Sequence, residues 1–146
     1  MSLNRNLAAA YTEIGWNYAL LGQPEKTEAS VQQGTRLSPR DPFVVYWLSY
    51  IGVAKLHQHQ DEAALEMFRR AIDADPGFPS NYGWLAAAYV FTGREAEARE
   101  PMERWLRAVP GMTLTRYKAL EQSDHPAYLA QRPRIYEAWR KLGMPE

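Results

Sequence analysis

Val45 to Phe78 reads VYWLSYIGVAKLHQHQDEAALEMFRRAIDADPGF, and its two halves carry the spacing of two short amphipathic helices joined by a polar turn. Leu48, Ile51, Gly52 and Lys55 recur at three- and four-residue intervals in the first half. Ala64, Phe68 and Ala71 do the same in the second, before Pro76 ends the helix. Neither helix can bury its apolar stripe alone, so the unit needs neighbours of its own kind.

A shift of 34 residues, the distance from Pro76 to Pro110, carries Ile51 onto Leu85, Gly52 onto Ala86, Ala64 onto Ala98, Phe68 onto Met102 and Ala71 onto Trp105. Upstream, Pro39 lies 37 residues before Pro76, so a unit with the same internal spacing is followed by three extra residues, Pro42 to Val44. The chain is therefore expected to be a single all-α domain, an α-solenoid of three helix-turn-helix units at about 8–41, 45–78 and 79–112 with a helical capping segment over 113–146. In that frame Tyr11, Ile14, Gly15 and Tyr18 form the buried face of the first helix, and Thr27, Val31 and Gly34 that of the second. Gly15, Gly52 and Ala86 are small where the two helices of a pair approach, while Tyr11, Leu48 and Tyr82 fill the gap between successive pairs. Trp105 breaks this pattern, and its ring is expected to hold the next helix away from its standard seat.

The turn signals agree. Gly22 ends the first helix and Pro24 suits the first turn of the second; Asp41 can cap the third helix with Pro42 at its first position; Asp61 can cap the fourth. Pro101 lies inside the sixth helix and is expected to kink it. After Thr113 the pattern weakens: one short helix carries Leu114, Tyr117 and Leu120, and a last one ends at Gly143-Met144-Pro145. Tyr136 and Trp139 fall 34 residues after Met102 and Trp105, as in a decayed fourth unit.

Composition narrows the function classes. Lys plus Arg and Asp plus Glu both number 17, so no net charge favours nucleic acid or an anionic membrane as partner. No cysteine is present, which excludes disulfides and thiolate metal sites and fits the cytoplasm. No run approaches the ~20 apolar residues of a membrane span. The helix that begins abruptly at the N-terminus reads as part of a longer chain. His57-x-His59-x-Asp61 has ligand-type residues but sits in a polar turn with no third cluster near it in sequence, so no metal is expected. Asp73 and Asp75 read as solvated turn residues, and His125 before Pro126 as a helix cap. No nucleophile elbow, Walker sequence or other catalytic constellation is present, and no cofactor is expected.

The repeated positions resemble the tetratricopeptide repeat, which sets a bulky residue, Leu, Gly and Tyr on helix A, then Ala, a bulky residue, Ala and Pro on helix B. The resemblance implies a non-catalytic protein-interaction module whose A helices line a concave groove. Its groove positions here are Ala9, Thr12, Glu13, Trp16, Ala19 and Leu20; Tyr46, Ser49, Tyr50, Val53, Leu56 and His57; and Ser80, Gly83, Trp84, Ala87, Val90 and Phe91. Trp16, Leu20, Tyr46, Tyr50, Trp84 and Phe91 are the expected ligand-binding residues. The surface is aromatic and nearly uncharged, lacking the Lys, Asn and Arg with which relatives clamp a terminal carboxylate. Two coverings compete: a partner peptide or helix, or the chain's own last helix or a second copy.

Arg36-Leu-Ser-Pro-Arg-Asp-Pro42 and Ile135-Tyr-Glu-Ala-Trp-Arg-Lys-Leu-Gly-Met-Pro-Glu146 look like the C-terminal tetratricopeptide region of bacterial class III adenylate or guanylate cyclases. Similar tails also follow winged-helix transcriptional regulators. The cyclase resemblance implies a regulatory or docking role in bacterial cyclic-nucleotide signalling; a homodimerisation module is the alternative.

Overall fold

The structure, a computed structural model, describes residues 2–146, with side chains from Asn4 onward, and the described residues form helices joined by turns without strands. Three antiparallel pairs follow one another: α1 (Ser2–Leu20) with α2 (Thr27–Leu37), α3 (Val44–His57) with α4 (Asp61–Ala74), and α5 (Ser80–Phe91) with α6 (Glu95–Ala108). A 3₁₀ turn, Pro24–Lys26, leads into α2. The tail holds the short α7 (Leu114–Ala119) and α8 (Pro126–Leu129), then α9 (Arg132–Lys141).

Each A-to-B turn closes on a residue in the left-handed region: Gly22 at φ 71°, His59 at φ 56° and Gly93 at φ 74°. Glycine takes this conformation freely at a helix end; His59 takes it against the steric preference of a side chain. Within pairs the small residues sit at tight crossings. A Cβ on Gly15 would come within 2.8 Å of Val31, and one on Gly52 within 2.6 Å of the Phe68 ring. Ala86 is fully buried, but the tightest approach of the third pair is at Gly83, where a Cβ would run into the Trp105 ring. The oversized Trp105 is thus matched by a glycine one turn before Ala86, and its ring lies inward between α5 and α6 as well as meeting α9.

The frame shifts in several places. Helix α3 starts at Val44, two residues after Pro42, and Asp41 accepts from the Phe43 amide at 2.9 Å. Pro101 is buried within α6, which runs without a break from Glu95 to Ala108. The larger correction concerns α1. Its buried positions are Ala8, Thr12, Gly15 and Ala19, whereas Ile14 is 47% exposed and Tyr11 and Tyr18 are half-buried. The equivalent residues Ile51 and Leu85 are buried because a preceding pair packs against them. Periodicity identified the apolar stripe on α1; whether a neighbour covers it is a property of the stack.

Candidate protein-interaction site

The chain's own tail occupies much of the groove. On α5, Gly83, Trp84 and Ala87 are all buried, and the tail packs on Trp84. Trp139 of α9 donates its indole N–H to the Gly83 carbonyl at 2.7 Å, and its ring meets Trp84, Trp105 and Tyr117 at 5.2, 4.9 and 4.7 Å between centroids. On α3 the tail covers the C-terminal half. Arg134 donates to the Leu56 carbonyl, pairs with Asp61 at 2.7 Å and lies 4.0 Å over the Phe91 ring. On α1 it touches one end: Gln122 accepts from the Trp16 indole at 2.7 Å, and Ser123 donates to the Leu20 carbonyl at 2.7 Å. The segment expected as a cap thus also crosses the concave face. Trp16, Leu20, Trp84 and Phe91, four of the six expected ligand contacts, meet this chain's own tail.

A buried polar cluster pins the crossing. Arg132 is 1% exposed, and its guanidinium pairs with Glu121 at 2.7 Å, donates to the Tyr117 hydroxyl at 3.2 Å and lies 3.5 Å from His57 Nε2. Glu121 also accepts from the hydroxyls of Tyr128, at 2.5 Å, and Tyr136. The Arg132 guanidinium stacks 4.8 Å from the Trp84 ring. Burial and the neighbouring carboxylate push Tyr136 up to about 12. Burial alone would lower Arg132, but the Tyr117, Tyr128 and Glu121 oxygens outweigh it and hold the guanidinium charged.

His57 is 4% exposed, and burial, reinforced by Arg132 and Arg134, brings its pKa down to about 3. The ring is therefore neutral, with Nε2 accepting from Arg132 and Nδ1 without a partner among the described residues. The facing groups are Arg132, Arg134, His59 and the Tyr128 ring, 5.3 Å away. Between pH 6.5 and 3 the unfolded imidazole binds a proton that the folded one refuses, so stability falls as pH drops through this window. Denaturant melts at pH 7 and 4.5 should show the wild type losing about 2 kcal/mol more than His57→Gln, which keeps an acceptor for Arg132 and does not titrate. Equal losses would contradict a neutral buried His57. Among the described residues, no group of three His, Asp or Glu is placed to hold a metal ion.

The part of the groove left open is a wedge at its N-terminal corner. Trp16 and Tyr50 stack at 4.8 Å, and Tyr46 meets Phe78 edge-on at 4.9 Å and Phe43 at 5.9 Å. Tyr46 is 37% exposed and Phe43 51%. Two shallow hollows of about 170 and 330 Å³ flank these rings. The charged side chain in the second hollow is Glu13, which accepts from the Tyr50 hydroxyl at 3.3 Å. Burial and this carboxylate push Tyr50 up to about 12, so it stays protonated and neutral. Helix-A spacing located Trp16, Tyr46 and Tyr50 in the sequence, but not Phe43 and Phe78, which lie before helix starts. Arg132 and Glu121 carried no signal, since charged residues in a weakly patterned tail read as solvated.

The stacked helix pairs, with small residues at their crossings, form an α-solenoid of the kind that tetratricopeptide repeats build. A tetratricopeptide-repeat family model matches residues 56–123. Among solved structures, "Crystal structure of MamA" superposes with a TM-score of 0.66 at 19% identity, over 92% of this chain and 79% of that one. No curated protein matches the sequence. Tetratricopeptide repeats, matched here over residues 56–123, indicate protein–protein interaction. No described helix is long and apolar enough to cross a membrane.

Proposed function

We propose that this chain is a non-catalytic docking module that binds a short, extended, apolar segment of a partner protein on the wedge formed by Trp16, Tyr46, Tyr50 and Phe78. The observation that carries this reading is the exposure of Tyr46 and Phe43 beside an otherwise occupied groove. A soluble chain gains by covering contiguous rings, and rings in shallow hollows are the usual anchors of peptide recognition. An extended segment fits better than a helix. A helix about 10 Å across needs the full concave face, and α9 already lies on the α5 part of it. Glu13 at the edge favours a ligand that is neutral or carries a cation at one end.

The test is selection from a random-peptide display library on the whole chain. The expected result is an apolar consensus whose affinity falls tenfold or more in Tyr46→Ala, with a melting temperature within about 2 °C of wild type because the ring is half open. A consensus indifferent to Tyr46→Ala would overturn the reading. The cyclase-like segments 36–42 and 135–146 support placing the module in cyclic-nucleotide signalling. A gene whose reading frame encodes no cyclase domain would remove that placement and leave the docking role intact.

A further inference from the structure

On α1 and the turn that follows it, Leu7, Tyr11, Ile14, Tyr18 and Leu21 form one stripe on the side facing away from α3. Leu7 is 46%, Ile14 47% and Leu21 51% exposed, although this is the face that α3 and α5 bury against a preceding pair. The stripe is a palindrome: read from either end it is Leu, Tyr, Ile, Tyr, Leu, centred on Ile14.

We propose that this face pairs with the same face of a second copy, the two α1 helices crossing antiparallel about a twofold axis at Ile14. That axis sets Leu7 beside the second copy's Leu21 and the Tyr11 and Tyr18 rings beside each other, as a self-complementary isologous contact requires. Ala10 and Asn17, next to the stripe, are uncharged; the cation here is Lys26, whose Nζ lies 5.3 Å over the Tyr18 ring, and the twofold sets the two copies' Lys26 at opposite ends of the contact, while antiparallel helices oppose their dipoles favourably. The stripe spans about 21 Å of helix. Five large side chains over that length offer on the order of 500 Å² per copy, at the lower bound for a specific interface, so the dimer forms with rising concentration and is not obligate. This surface is separate from the aromatic wedge, and the proposal stands whether or not the wedge binds a peptide.

The absence of native cysteine makes the geometry testable. Ile14→Cys is expected to oxidise to a disulfide-linked dimer in the otherwise intact chain. Leu7→Cys and Leu21→Cys are expected to cross-link when mixed and not alone. Sedimentation equilibrium is expected to show a wild-type dimer that Ile14→Asp dissociates, with the melting curve of the dissociated chain unchanged because the residue is exposed. A wild type that stays monomeric at every concentration would overturn the proposal and leave the face to another protein segment. Cross-linking of Leu7→Cys with itself would overturn the antiparallel arrangement.

Discussion

Trp139→Ala is expected to destabilise the chain by about 3–5 kcal/mol. The side chain is fully buried, its rim is packed by Trp84, Trp105, Tyr117 and Tyr136, and its N–H is bound to the Gly83 carbonyl. Truncation leaves a ring-sized cavity among rigid aromatic neighbours that cannot collapse into it, so the loss belongs at the upper end of the range for buried aromatics. At roughly 2–4 °C per kcal/mol for a chain of this size, the melting temperature should fall by about 10 °C. Differential scanning calorimetry measures this, and a fall below about 3 °C would mean that α9 is not seated on α5.

Glu121→Ala is expected to cost a similar amount by another route. It leaves the Arg132 guanidinium, 1% exposed, without its carboxylate and takes the acceptor from two tyrosine hydroxyls. An uncompensated buried charge costs about 3–5 kcal/mol. The double replacement Glu121→Leu with Arg132→Met should recover the part of the loss that comes from the unpaired guanidinium, because an apolar pair escapes the desolvation penalty that both ions bear, while the Tyr128 and Tyr136 hydroxyls still lack their acceptor. Urea denaturation of the wild type, Glu121→Leu, Arg132→Met and the double variant gives the coupling. A single-mutant loss below about 1 kcal/mol would show that water reaches the pair.

The contrast between these two sites marks how far sequence reading reaches. The helix pairs were legible because period, turn residues and small residues at crossings are local signals, and Gly15 and Gly52 stand where the repeat frame placed them. The same helix spacing put Trp16, Tyr46 and Tyr50 on one face, and the structure brings their rings together around one hollow. The covering of Trp84 was not, because it depends on the path of residues 114–141, whose course is set by long-range contacts such as Arg132 with Glu121 and Arg134 with Asp61. Ile14 shows the converse. Its apolar stripe was evident, but burial needs a neighbour on that side, and a helical period carries no information about one.

Both large effects and the shape of the open wedge depend on the tail lying across the concave face. Hydrogen exchange of the Trp139 indole N–H, followed by nuclear magnetic resonance, tests this most directly, since that proton is bound to a carbonyl of another helix and is buried. Exchange as slow as the most protected α5 amides is the expected result. Exchange at the rate of a free indole, with α5 still protected, would show the tail detached and the groove open.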